Sequence, residues 1–264
     1  MIGIFDSGVG GLTVVKEVFK KLPEYQVVYF GDTARVPYGT KSEETIIKYS
    51  LENADFLLSR GARLIVIACH TASAVAYEQL REKYQEIPIF GVVLPALREA
   101  IRISKNKRIG VIGTSTTISS RVYERLAKKL DPKIKIIAVA CPLFVPLIEE
   151  GYLTKPETRK IAKGYLRKLK DSNIDTLILA CTHYPLISQL ISKILGPKIK
   201  LINPGEELVR ELEDFLKTNP KEAKKIKRGT KHQFFVSDLP QKFSEIAEGF
   251  LGHKIKNLKK IVLK

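Results

Sequence analysis

Short apolar runs alternate along the chain with longer segments in which apolar positions recur every three or four residues. The short runs are Ile2–Phe5, Gln26–Gly31, Leu64–Ala68, Ile89–Val93, Arg108–Gly113, Ile134–Val139, Thr176–Ala180, Lys200–Asn203 and Gln233–Ser237. They are continuous rather than alternating, and a strand reads that way when both of its faces are covered. Helical patterns lie between most of them, over Ser42–Ser59, Thr71–Tyr84, Ile118–Leu130, Pro156–Lys170, Glu206–Leu216 and Pro240–Phe250. Buried strands separated by helices predict an α/β fold with mainly parallel sheets and helices on both faces. Ser42, with Glu44 and Thr45 behind it, reads as a helix N-cap. Two breaks are candidate crossing points between domains: "VVLPALREA", where Pro95 interrupts the pattern, and "LINPGEEL", with its Pro-Gly pair.

Two apolar runs end alike. "LIVIACHTASA" (64–74) and "TLILACTHYPL" (176–186) each run into Ala-Cys, with Thr and His within two residues. They are a weak internal repeat, one expected in each domain.

The bulk composition narrows the function classes. A chain of 264 residues allows one large domain or two smaller ones. No apolar run approaches the ~18 residues that a membrane-spanning helix needs. The opening "MIGIFDSGVGG" lacks a basic stretch followed by a long apolar one, so no signal peptide and a cytoplasmic location are expected. Three widely spaced cysteines make no disulfide framework and are expected as free thiols. The net charge of +17 raises nucleic-acid binding as a function. Lysine is, however, scattered through the chain and mixed with glutamate, without an aromatic-plus-basic motif, so a nucleic-acid partner is not expected. High Lys and Glu with one Met and no Trp also fit a heat-adapted surface.

Ligands of open α/β sheets bind at the carboxyl ends of strands, and Cys69 and Cys181 both fall there. Thr71 and Thr182 stand where each could cap a following helix. A helix N-terminus favours a thiolate and binds carboxylate. Three chemistries use two thiols. A dithiol redox pair is usually a close Cys-x-x-Cys, which this chain lacks. A zinc site could combine Cys69, His70, Cys181 and His183, but the spacings are not those of common zinc motifs, and no metal is expected. The third is acid–base work from two sides: one thiolate takes a proton from carbon and the opposite thiol returns one to the other face, inverting a stereocentre. Around these junctions, "FDSGVGGLTV" (5–14) offers glycines that let backbone N–H groups approach an anion. It lacks the ending of a nucleotide P-loop, and Thr13 stands where a dinucleotide fingerprint has glycine. "GDTARVPYG" (31–39) and "VIGTSTT" (111–117) are further loops at strand ends, the second rich in hydroxyls.

Together, "GIFDSGVGGLTV", "GDTARVPYG", "ACHTASA", "IGVIGT", "CPLFVPLIEEG" and "LACTHYP" closely resemble the glutamate racemase family, and the "FFVSDLPQKFSEIAEGFLG" tail looks like that family's C-terminal end. The resemblance covers nearly the whole chain. It implies two facing α/β domains, 1–93 with 207–264 and 94–206, and an active site in the cleft between them. It implies cofactor-independent interconversion of L- and D-glutamate, the D-enantiomer supplying peptidoglycan, by a protein that is often a homodimer. By resemblance Cys69 works on the D-enantiomer with help from Asp6, and Cys181 on the L-enantiomer with help from His183 and Glu149. Asp6, Ser7, Tyr38, Gly39, His70, Thr71, Thr182 and His183 match the family's substrate contacts. Aspartate or a broader set of amino acids is the alternative substrate class. The family usually has Asn where this chain has His70, a bulkier group that titrates near neutral pH, and Gly where it has Ala180. Cys141 is expected to be a packed residue.

Overall fold

Residues 1–239, 243–255 and 257–263 are described in the computed structural model of the chain. In order they form β1 (Ile2–Asp6), α1 (Leu12–Lys21), β2 (Val27–Gly31), α2 (Glu43–Ser59), β3 (Leu64–Ile67), α3 (His70–Val75), α4 (Tyr77–Lys83) and β4 (Ile89–Gly91). Next come α5 (Val93–Ile103), β5 (Arg108–Gly113), α6 (Ser115–Ser119), α7 (Val122–Leu130), β6 (Lys135–Ala140), α8 (Phe144–Glu149), α9 (Pro156–Asp171), β7 (Thr176–Ala180), α10 (Ser188–Leu195) and β8 (Lys200–Ile202). The chain closes with α11 (Pro204–Thr218), α12 (Pro220–Lys225), β9 (Gln233–Val236), α13 (Phe243–Leu251) and β10 (Leu258–Lys260).

The strands assemble into two sheets, β10-β9-β2-β1-β3-β4 and β6-β5-β7-β8, and the pairings within both are parallel. The apolar runs explain this. Every side chain of β3 is fully buried, and each such Leu, Ile or Val contributes roughly 1.5–3 kcal/mol relative to exposure. A parallel sheet covered on both faces is the arrangement that buries them all. The chain builds most of the first sheet, crosses through α5 to build the second, and returns through α11 to add β9 and β10 to the edge of the first. One apolar core joins the two sheets, running from Ile4 and Val15 through Leu208 and Leu212 of α11 to Leu177 and Tyr184.

Several expectations from the pattern are corrected. Pro95 does not break the chain: α5 runs through it, because in a helix's first turn the missing N–H has no intrahelical partner to lose. The segment still crosses between sheets, as a helix. The helix expected over 71–84 is broken at Ala76, where Ser73 and Tyr77 straddle the bare backbone of Gly91; a Cβ there would lie 2.4 Å from Ser73 Oγ. The helix expected over 118–130 is broken at Arg121, which is left-handed at φ 51°. Ser42 caps α2 as expected, accepting from the Thr45 N–H at 3.3 Å. Of the helix expected over 240–250, positions 240–242 lie outside the described residues. Edge strand β10 was not expected at all.

The two parallel sheets turn their carboxyl ends toward one place. Ser7 follows β1, Pro37 follows β2, Cys69 follows β3, Thr114 follows β5, Pro142 follows β6 and Cys181 follows β7, and all six line the same cavity.

Candidate active site

That cavity has a volume of about 360 Å³. Every catalytic or substrate-contact residue that the family resemblance implies lines it except Asp6, which is wholly buried. Among the described residues, no lysine or arginine lines it, so an anion inside would be held by hydroxyls, backbone N–H groups and histidine. Among the described residues, no group of three or more His, Cys, Asp or Glu side chains is placed to hold a metal ion.

On the first-sheet side, Cys69 is the N-cap of α3 and is 5% exposed. Its thiol donates to Ser7 Oγ at 3.7 Å. Burial pushes the thiol up to about 12, the nearby Asp6 carboxylate adds to this, and the Ala72 N–H and Ser7 offset only part of it. The expectation that the helix N-terminus would favour a thiolate at Cys69 is therefore corrected: desolvation outweighs one turn of helix. Asp6 accepts from the Gly8 N–H at 3.1 Å through Oδ2, while Oδ1 has no partner. Burial raises its pKa too, against the opposing charge of His183 and the Gly8 and Gly11 N–H groups.

Thr71 is not a cap, because the helix has already begun at His70. Its hydroxyl instead meets Thr114 Oγ1 at 3.0 Å and Thr117 Oγ1 at 3.3 Å, across from one sheet to the other. His70 is 4% exposed, and both its ring nitrogens are buried without a hydrogen-bond partner. Burial pushes its pKa down to about 3, so the imidazole stays neutral near neutral pH, against the expectation that it would titrate there.

On the second-sheet side, Thr182 does not cap a helix either; a 3₁₀ turn over Tyr184–Ile187 intervenes before α10. Cys181, 7% exposed, lies 3.8 Å from His183 Nδ1. The other ring nitrogen, Nε2, donates to Glu149 Oε1 at 2.8 Å. Burial alone would lower the His183 pKa, but Cys181 and Glu149 outweigh it and raise it to about 10. The two contacts favour the protonated ring, which places a positive charge beside the Cys181 sulfur. Cys69 has no such cation. Cys141 is wholly buried in the core, its thiol 3.7 Å from the Val139 carbonyl.

The loops hold this arrangement by close approach. A Cβ at Gly10 would lie 2.2 Å from Thr182 Oγ1 and 2.6 Å from His183 Nδ1, so only glycine lets the β1–α1 loop lie against the second junction. Thr13, the residue out of place for a dinucleotide fingerprint, shares its hydroxyl proton between the carbonyls of Gly10 (2.8 Å) and Thr182 (3.0 Å). Tyr38 sits at the cavity, but its hydroxyl donates to Asp32 and accepts from Asn53 Nδ2 at 3.0 Å. Arg35 closes this buried network on Asp32 at 2.7 Å and Asn53 at 3.1 Å. What the Tyr38-Gly39 tip can offer a ligand is therefore backbone. Asp32, Asn53 and Thr13 were not singled out as site residues by sequence; Thr13 alone left a signal, as a departure from a known glycine pattern.

Residues 7–212 match the family model for Asp/Glu/Hydantoin racemase. Over 262 residues the chain is 45% identical to the glutamate racemase of Geobacter metallireducens, spanning 99% of this chain and 96% of that protein. The chain belongs to the glutamate racemase family. Membership makes it an amino-acid racemase, an isomerase that inverts a stereocentre. Another relative, the glutamate racemase of Aquifex pyrophilus, is 50% identical over 216 residues, or 82% of this chain and 83% of that one. Among solved structures, Francisella tularensis glutamate racemase in complex with D-glutamate matches with a TM-score of 0.92 at 39% identity, covering 100% of this chain and 97% of that chain. The family's mainly parallel α/β fold is the one seen here.

Proposed function

We propose that the chain interconverts L- and D-glutamate without a cofactor, using Cys69 and Cys181 as acid–base groups on opposite faces of the bound amino acid. The observation that carries this is the pair of buried thiols that approach one small cavity from the ends of two different sheets. On this reading residues 1–93 with 207–264 and residues 94–206 work as two facing lobes, with α5 and α11 as the crossings.

The α-hydrogen of an amino acid is a weak acid. A thiolate removes it only in a dry site that stabilises the carbanion. With L-glutamate, the Cys181 thiolate takes the α-proton, the C–H electron pair stays on Cα and spreads into the α-carboxylate, and the Cys69 thiol protonates the other face. Afterwards Cys69 is the thiolate and Cys181 the thiol, which is the state that accepts D-glutamate. The high pKa of Cys69 makes its thiolate a strong base. The hydroxyls of Thr71 and Thr182 suit carboxylate oxygens, and Asp6, buried outside the cavity lining, would act on the substrate side through Cys69. Ser7 and the backbone of Tyr38 and Gly39 complete the contacts. Through D-glutamate the enzyme would supply peptidoglycan synthesis in the cytoplasm, and family resemblance supports a homodimer.

Cofactor-free protein incubated with L-glutamate in D₂O is expected to lose optical rotation and the α-proton NMR signal together, with L-aspartate turned over far more slowly. If neither amino acid exchanges its α-proton, the reading is wrong.

A further inference from the structure

The His183 imidazole must hold one orientation, with Nδ1 toward Cys181 and Nε2 toward Glu149. The two polar contacts fix the ring nitrogens but not the plane of the ring. The sulfur contact is 3.8 Å long, and the Glu149 side chain is 40% exposed, so water competes for its carboxylate. The packing contacts are not exposed to that competition. The backbone of Gly10 closes the Cε1–Nδ1 edge, a Cβ there lying 2.6 Å from both atoms. The ring of Phe250, from α13, packs on the imidazole at right angles, centroids 5.1 Å apart and planes at 82°. Phe250 is 3% exposed and belongs to the same apolar core as α1 and α11. A second cavity, of about 330 Å³, adjoins Phe250 and Glu149, so a smaller residue at 250 would open the imidazole toward free space.

We infer that Phe250 is a positioning residue for the proton transfer, acting through His183: the C-terminal helix reaches back across the site and holds the imidazole in the rotamer that serves Cys181. Sequence alone gives no hint of this, since Phe250 reads as one more apolar position on an amphipathic helix. The inference rests on the proposed racemase reading for its kinetic readout only. The orientation of His183 is measured separately.

The test compares Phe250→Leu, which keeps apolar bulk without the ring, with Phe250→Tyr, which keeps the ring. Two quantities are read. One is kcat and KM for racemisation of glutamate. The other is the titration of His183 by long-range ¹H–¹⁵N NMR, its signal identified among the four histidines by its loss in His183→Gln. The titratable groups that act on His183 are Cys181, Glu149 and Asp6, and all remain in both variants. In Phe250→Leu, kcat is expected to fall about tenfold with KM little changed, and the His183 midpoint to drop by about one pH unit, because a ring that is no longer fixed spends part of its time away from its two raising contacts. Phe250→Tyr is expected to retain both properties. A folded Phe250→Leu with unchanged kcat and unchanged titration overturns the inference. So does a loss of activity that tracks loss of folded protein while the His183 midpoint stays put. Should the wild type fail to racemise glutamate, the proposed function fails, and the titration still decides the role of Phe250.

Discussion

Replacing either cysteine with serine is expected to abolish racemisation, by roughly 10⁴-fold or more, because each removes a general acid–base group with no substitute nearby. Serine is nearly isosteric with cysteine and only slightly smaller, so the fold should survive; thermal midpoints near that of the wild type check this. The two enantiomers have equal free energy, so kcat/KM must be the same in both directions for every variant. Cys69→Ser and Cys181→Ser should therefore lose L-to-D and D-to-L conversion alike. They should differ in what remains. Cys69→Ser keeps the thiol that meets the L-enantiomer and is expected to exchange the α-hydrogen of L-glutamate slowly with solvent, with retention. Cys181→Ser is expected to do the same with D-glutamate only. Optical rotation and α-proton NMR on each pure enantiomer read this directly. If either variant still inverts glutamate at near wild-type rates, that cysteine is not one of the two bases.

The pH profile of kcat/KM is expected to hold through neutral pH and fall along an alkaline limb near 10, where His183 loses the proton that supports Cys181. kcat/KM reports the ligand-free enzyme, the state to which that value belongs. Glu149 is one of the two contacts that raise the histidine, so Glu149→Gln should lower kcat/KM by about tenfold and move the limb toward neutral pH. The same shift acts on stability. The His183 pKa is raised above the ordinary histidine value of about 6.5, so its contribution is fully present below about 6.5 and is lost as pH rises through about 10. The thermal midpoint of the wild type should fall over that window, and that of Glu149→Gln should fall less. A limb that stays in place in Glu149→Gln would mean that another group sets it.

Much of the fold was legible because the strands are buried on both faces. The runs Arg108–Gly113 and Thr176–Ala180 coincide with β5 and β7 to the residue, since after one polar residue each continues as an unbroken buried run. The matched thiol junctions were legible for the same reason: each follows such a strand at its carboxyl end. What the pattern missed depends on tertiary contacts. The break at Ala76 answers to Gly91 on β4, and nothing in the local sequence encodes that neighbour. β10 is a short edge strand with two lysines, a composition that protects an edge and hides it from a search for apolar runs. The environment of the thiols was read only in part. A strand-to-helix junction promises a lowered thiol pKa, yet at Cys69 burial and Asp6 reverse the sign. His70 likewise stays neutral because the fold buries both of its ring nitrogens. Burial of this kind comes from both sheets closing on one cavity, and neither sheet's sequence carries it alone.

The central claim is that two bases, one on each face, move the proton. The most direct measurement is the early fate of deuterium when L-glutamate is converted in D₂O, read by mass spectrometry after the enantiomers are separated. Two opposed thiols predict deuterium in the D-glutamate formed and hydrogen still in the L-glutamate recovered, because the group that protonates the product is not the one that took the substrate's proton. Deuterium appearing equally in both enantiomers from the first moments would mean that one base serves both faces, and would contradict the account.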